Sequence, residues 1–168
     1  MDHSTRRKLL IAAAATGTTA KLLSGHETLS GPLANATVTF GEWRTDPPLD
    51  RFQPFTPPTN HHHILPNEAT VKAGGAVNFV ISGFHLLLIY DHGTRPENID
   101  TSKQIPGPPV PLIDDPNRRI YRGLDPRSQP LDRLEAVHFP KVGMYLVICG
   151  VLPHFVTDHM FSWVRVLP

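Results

Sequence analysis

The sequence predicts an all-β domain, a sandwich or small barrel built from short strands. Three observations favour this class over a helical one. The chain of 168 residues contains 18 prolines and 12 glycines, which interrupt helices and favour turns. Short apolar runs alternate between the two faces of an extended chain. Turn signals such as Ala73-Gly74-Gly75 separate these runs. The length suits one domain rather than two.

The strands can be placed in order from this alternation. In the run Ala76–Ile81, Val77, Phe79 and Ile81 should share the face that packs on the core. We expect the strands to pair antiparallel, and we predict no helix in the mature chain. The predicted strands are Thr37–Phe40, Glu68–Lys72, Ala76–Ile81, His85–Tyr90, Arg133–Phe139, Gly143–Cys149 and Trp163–Leu167.

Two proline-rich stretches lie outside these strands. Asp46–Asn60 is expected to be irregular, because proline removes the donors that a sheet needs. Asp91–Asp132 is expected to be a long proline-rich loop insertion, with Leu112-Ile113 and Ile120-Tyr121 anchoring it to the body. A connection of this length in a compact domain is either functional or mobile.

The first 36 residues resemble a twin-arginine-type export signal. Arg6-Arg7 precedes a short apolar stretch, and Ala34-Asn35-Ala36 supplies small residues at cleavage spacing. We therefore expect a single mature domain over residues 37–168, in the periplasm or another extracytoplasmic space. Lys21 interrupts the apolar stretch, so an integral membrane protein is not expected. The alternative is a basic N-terminus on a cytoplasmic protein.

Charge and cysteine content narrow the function. The chain has 16 Lys and Arg against 15 Asp and Glu, and no basic stripe, so nucleic acid is not an expected partner. Its single cysteine, Cys149, cannot form an internal disulfide. Cys149 is therefore free, buried or a metal ligand.

The last quarter of the chain carries the strongest chemical signal. Cys149, His154, His159 and Met160 lie in one short segment between two predicted strands, and His85 follows a turn farther upstream. Thiolate, imidazole and thioether are the donors that a Cu(I)/Cu(II) ion prefers. Ligands held by strands suit both oxidation states, which keeps the cost of reorganisation low. The pattern predicts one copper ion bound by His85, Cys149 and His154.

Simpler interpretations of these residues remain open. Cys149 is small enough to be a buried hydrophobe, and Met160 would serve in core packing. Cys149 and His154 are also compatible with a nucleophile–base pair, although no oxyanion site is recognisable. His85 on its own would be an ordinary core or surface histidine. His61–His63 is either a polar loop or a source of an additional copper ligand or second site, with at most His61 and His63 on one face of an extended chain.

Together these residues resemble the cupredoxin family of small blue-copper proteins. The resemblance implies a Greek-key β-sandwich, and a copper ion held by His85, Cys149, His154 and an axial Met160. It also implies that the protein passes single electrons between redox partners rather than acting as an enzyme. The passages that carry the resemblance are Val71–Phe79 with Gly83-Phe84-His85, Phe139–Cys149, and Met160–Val166.

One departure from the family concerns the axial ligand. His159 stands where the family usually has glycine before the methionine, and the spacing from His154 to Met160 is longer than usual. His159 is therefore an alternative axial ligand. A third imidazole would favour Cu(II) and lower the potential.

The expected partner is a redox protein that docks near His154, with the protein itself a monomer. The apolar neighbours of this histidine would form the docking patch, and weak redox encounters use small interfaces. The alternatives are periplasmic copper handling, a small copper enzyme with an open coordination site, and a metal-free interaction module. The patch residues are Val151, Leu152, Pro153 and Phe155.

Overall fold

The computed structural model describes Leu33–Gly41 and His62–Pro168, which lie in one compact unit of the chain. These residues are mostly strand, with one short helix, α1 (Leu152–Val156), and a 3-10 turn at Pro96–Asn98. The strands are β1 (Asn35–Phe40), β2 (Ile64–Leu65), β3 (Glu68–Lys72), β4 (Gly75–Ile81), β5 (Leu87–Tyr90), β6 (Gln104–Ile105), β7 (Leu112–Ile113), β8 (Arg119–Arg122), β9 (Arg133–Phe139), β10 (Gly143–Cys149) and β11 (Phe161–Leu167).

Two mixed sheets form a Greek-key β-sandwich, which confirms the predicted class. One sheet has the order β2-β1-β4-β9 and the other β3-β11-β10-β5-β8, while β6 and β7 form a separate ribbon. The expectation of purely antiparallel pairing was wrong in two places, because β1 runs parallel to β4 and β11 runs parallel to β3. Side-chain alternation fixes which face of a strand is buried but carries no information on strand direction.

The core lies between the sheets and follows the predicted alternation. Val77, Phe79 and Ile81 of β4 are fully buried, and Glu135, Val137 and Phe139 form the buried face of β9. Burial of each large apolar side chain contributes roughly 1.5–3 kcal/mol. Strand β5 is buried on both faces, so its apolar run shows no alternation.

The segment 91–132 contains more structure than the expected loop insertion. It includes β6, β7 and β8, and β8 pairs antiparallel with β5 as the edge of the larger sheet. Leu112 and Ile113 are fully buried, as predicted, whereas Ile120 is half exposed. Prolines lie between these very short strands. Because proline usually indicates an interruption of a strand, the sequence did not predict them.

Helix α1 was not predicted. It has only five residues, and Pro153 lies in its first turn. A helix of that length presents too little sequence for a 3.6-residue period to be recognised. Proline is well tolerated there, because the first N–H groups of a helix have no partner within the helix. Within the described ranges no helix has the length and apolar character needed to cross a bilayer.

Strand β1 begins two residues before its predicted start. Asn35 and Ala36 are paired in register with β4. The carbonyl of Ala34 accepts a hydrogen bond from Ala76 N at 2.9 Å. Gly75 is required at this crossing, because a Cβ there would lie 2.5 Å from the Ala34 oxygen. The chain around residue 35 is therefore an integral part of the first sheet.

Candidate metal centre

The fold brings His85, Cys149 and His154 together at one end of the larger sheet. Cys149 is the last residue of β10, and its register partner Leu87 begins the neighbouring strand β5. His85 lies just before β5, so it reaches the same end as Cys149. His154 is carried by α1, which follows β10 directly. The Gly150 N–H donates to the carbonyl oxygen of Leu86 at 2.6 Å and ties the two ligand-bearing segments together.

The three donor atoms form a compact triangle. Cys149 Sγ lies 3.5 Å from His85 Nδ1 and 3.6 Å from His154 Nδ1, and the two Nδ1 atoms are 3.1 Å apart. The point equidistant from three atoms with these separations lies about 2 Å from each, the length of a typical bond from a metal to nitrogen. Among the described residues, these three form the cluster of possible metal ligands. The site therefore fits a single ion in trigonal coordination.

The site is dry. His85 and Cys149 are fully buried and His154 is 8% exposed. An apolar shell excludes water from a metal–thiolate bond and so tunes a redox metal. A thiolate and two imidazoles form the trigonal donor set that copper electron-transfer sites use. The predicted cofactor is thus compatible with the donors that the structure assembles.

Burial also sets the protonation state of one ligand. It lowers the pKa of His154 to about 2, with smaller contributions in the same direction from the nearby His85 and His62 rings. The imidazole is therefore neutral at pH 7 and available as a metal ligand without losing a proton.

This shift predicts that the metal-free protein loses stability as the pH falls below 6.5. The folded-state pKa of His154 lies below its ordinary value of 6.5, so the unfolded chain binds the additional proton between these limits. The contribution of His154 to the free energy of unfolding is therefore complete above pH 6.5. It decreases by up to about 1.4 kcal/mol for each pH unit below that value. Urea unfolding between pH 7 and 5 measures this slope while most carboxylates stay charged. A His154→Gln variant should show a flatter profile, and an unchanged slope in that variant would contradict the assignment.

The two axial candidates occupy different environments. Met160 is 1% exposed, and its backbone N–H donates to the His154 carbonyl at 2.9 Å while its own carbonyl accepts from Cys149 N at 3.0 Å. It is thus fixed against the loop that carries two of the ligands. His159 is exposed and lies outside the ligand cluster. Met160 is therefore a buried neighbour of the ligand loop, whereas His159 lies on its surface.

His159 has a left-handed backbone, with φ at 52°. The resemblance described above leads one to expect glycine at this position instead of histidine. The backbone conformation explains that expectation, since glycine adopts positive φ without steric cost. We predict that His159→Gly stabilises the protein by about 1 kcal/mol and leaves the visible spectrum of the copper-loaded form unchanged. Thermal unfolding and absorption spectroscopy test both points. A changed spectrum would identify His159 as a ligand.

One residue of His61–His63 lies directly against the site. The ring of His62 stacks on that of His154 with centroids 3.7 Å apart and planes inclined by 19°. His62 Nδ1 is 2.8 Å from Asp158 Oδ2, in the loop that follows α1. His63 is half-buried, and His61 lies outside the described residues. The sequence did not single out Asp158, because its partner is 96 residues away.

A buried ion pair supports the other histidine. Arg133 Nη2 donates to the carbonyl oxygen of His85 at 2.8 Å, and Arg133 Nε donates to Glu135 Oε1 at 2.8 Å. The side chains of Arg133 and Glu135 are only 6% and 2% exposed. The Tyr121 hydroxyl donates to Glu135 Oε2 at 3.0 Å. This network fixes the backbone of His85, and no local sequence pattern indicates it.

The residues of the expected docking patch differ in their burial. Val151 and Phe155 are buried, so they belong to the core, while Leu152 and Pro153 are half-buried. Val156, on the same helix, is 52% exposed. The helical turn separates inward from outward residues, which an extended loop would not have done.

Comparison with solved structures supports the fold assignment. The chain is similar to dithionite-reduced auracyanin from Roseiflexus castenholzii, with a TM-score of 0.50 and 19% identity, covering 82% of this chain and 100% of that one. Pseudoazurin from Hyphomicrobium denitrificans aligns with a TM-score of 0.41 and 18% identity, over 79% of this chain and 74% of that one. Oxidised plastocyanin from Dryopteris crassirhizoma aligns with a TM-score of 0.39 and 16% identity, over 77% and 98%. No family model and no curated protein sequence matches the chain. The fold is cupredoxin-like.

Proposed function

We propose that this protein is an exported mononuclear copper protein that carries single electrons between redox partners. In this proposal His85, Cys149 and His154 hold the ion, and Met160 is the weak axial ligand. The bound ion would supply a one-electron Cu(I)/Cu(II) couple. The protein would supply the rigid, dry enclosure that keeps both oxidation states in nearly the same geometry.

The single observation that supports this proposal most strongly is the ligand triangle. Its sides of 3.1, 3.5 and 3.6 Å already suit an ion without movement of the chain. The backbone bonds that hold Cys149, Met160 and Gly150 come from the sheet and the ligand loop. Such preorganisation favours electron transfer over metal exchange, because release of the ion would leave the same donors in place to rebind it.

The test is a copper titration of the purified metal-free protein. We expect one equivalent of Cu(II) to produce an intense absorption at about 600 nm and a reversible one-electron couple. Weak absorption with readily exchangeable copper would instead support copper handling. Binding of oxygen or nitrogen oxides at the metal would support an enzyme with an open coordination site. Failure to bind copper would refute the proposal and leave a metal-free interaction module.

We further propose that residues 1–36 contain a twin-arginine-type export signal and that the domain works outside the cytoplasm. The paired arginines and the short apolar stretch support this interpretation. Conversion of Arg6 and Arg7 together to lysine should retain the protein in the cytoplasm, which fractionation would detect. Export of that variant at the normal level would refute the assignment.

We also infer where processing occurs from the hydrogen bonds at the start of β1. Cleavage after Ala36 would remove the start of β1, together with the Leu33 and Ala34 carbonyls that accept hydrogen bonds from Lys72 N and Ala76 N. We therefore predict that the exported protein begins at or before Leu33. N-terminal sequencing or intact mass measures this directly. A mature N-terminus at residue 37 would contradict the prediction.

A further inference from the structure

The imidazole of His62 lies against both ligand imidazoles. It stacks face to face on His154 at 3.7 Å and meets the edge of His85 at 5.7 Å, with those two planes inclined by 77°. His62 itself lies outside the ligand cluster. It comes from the chain segment just before β2. The ring of His62 is thus an outer layer over the ligand triangle.

Exposure decides which imidazole a docking protein meets first. His154 is 8% exposed, whereas the side chain of His62 is 24% exposed. The sequence alone predicts a partner that docks near His154. The stacked ring instead extends from that ligand toward the solvent, and electron transfer slows steeply as the distance between redox centres grows.

We propose that electrons enter and leave the site through the imidazole of His62, across its stacked contact with His154. This inference rests on the proposed copper function. In one direction a reduced protein partner loses one electron and is oxidised, and the oxidised ion gains that electron and is reduced. No covalent bond forms or breaks, and no proton transfer is required.

Asp158 is the positioning residue for this path. Its Oδ2 lies 2.8 Å from His62 Nδ1, and its side chain is 18% exposed. Asp158 belongs to the loop between His154 and Met160. The loop that follows His154 therefore holds the stacked His62 ring in place. Partial burial of both side chains limits the competition of water for this hydrogen bond. The contact between Asp158 and His62 accounts for the near-parallel arrangement of the His62 and His154 rings.

The electron self-exchange rate of the copper-loaded protein tests the path. It is measured at one fixed pH from NMR line broadening in mixtures of the reduced and oxidised forms. We expect His62→Ala to lower the rate by at least about tenfold, and His62→Phe, which keeps an aromatic ring for the stack, to remain within about threefold of wild type. His63→Ala is the matched control for the same segment and should leave the rate unchanged. An unchanged or faster rate in His62→Ala would overturn the inference, since His62 would then be no more than a cover.

Two further measurements separate this inference from the copper function. The copper-loaded His62→Ala variant should keep the intense visible band of wild type, because the ligand triangle is intact in that variant. In the metal-free protein, a nuclear Overhauser effect between the His62 and His154 ring protons should report the stack, and its absence would overturn the inference. If wild type binds copper normally and His62→Ala exchanges electrons normally, this inference fails alone. If wild type binds no copper, both the proposed function and this inference fail.

Discussion

Replacement of Cys149 by serine is expected to abolish the intense visible absorption of the copper-loaded protein and to weaken copper binding by more than about 100-fold. The absorption requires a thiolate, and a serine hydroxyl is not deprotonated at neutral pH. Serine keeps nearly the same shape, so the fully buried position is not opened as a cavity. The measurements are the absorption spectrum and a competitive copper titration.

The metal-free form of Cys149→Ser must be examined in parallel. A hydroxyl loses more solvation on burial than a thiol does, so the variant should unfold at a lower denaturant concentration while it keeps its far-UV circular dichroism. His138→Ala is a suitable control, because His138 is an exposed histidine on β9. Loss of the visible band in Cys149→Ser but not in His138→Ala would identify the Cys149 thiolate as a copper ligand. An intense band that persists in Cys149→Ser would refute the assignment, and with it the copper centre.

The ligand triangle could be predicted because its residue types are rare and closely spaced. The single cysteine, a histidine five positions later and a methionine six positions beyond it occur in one segment, and His85 follows a recognisable turn. Strands β3, β9 and β10 also have their predicted bounds, because each shows clear alternation or lies between strong turn signals.

The support around the triangle could not be predicted, because it depends on contacts between distant segments. The Asp158 carboxylate meets His62 across 96 residues, and Arg133 reaches the His85 carbonyl across 48. Neither contact belongs to a periodic pattern. The parallel pairing of β1 with β4 is missed for the same reason. Periodicity reports burial along one segment, whereas strand direction and side-chain networks depend on which segments meet.

The second large effect is expected at the buried ion pair. Replacement of Arg133 by methionine would leave the Glu135 carboxylate in a nearly water-free position with its main counter-charge removed. Loss of one partner of a buried pair costs about 3–5 kcal/mol. The Tyr121 hydroxyl and the Leu124 N–H would still donate to Glu135 Oε2, at 3.0 and 3.3 Å, but neither carries a charge. Chemical denaturation of the metal-free protein measures this change in the free energy of unfolding.

A double replacement separates the charge from the packing. Methionine at both Arg133 and Glu135 should recover most of the stability lost in the single variant, because no unpaired charge would remain in the core. The exposed pair Arg165–Glu68 is the matched control, since its Nε–Oε1 distance is also 2.8 Å but its side chains are 46% and 38% exposed. Arg165→Met should therefore change the unfolding free energy far less.

The same ion pair should influence the metal centre, because Arg133 donates to the backbone of a ligand. Arg133→Lys keeps the positive charge but loses the planar guanidinium that contacts the His85 carbonyl and Glu135 together. We expect this variant to stay folded and to show a shifted visible band, because support of this kind around a ligand normally alters copper affinity by 10–100-fold. A spectrum and affinity equal to wild type would restrict the pair to a stabilising role. A loss below about 1 kcal/mol in Arg133→Met would refute that role as well.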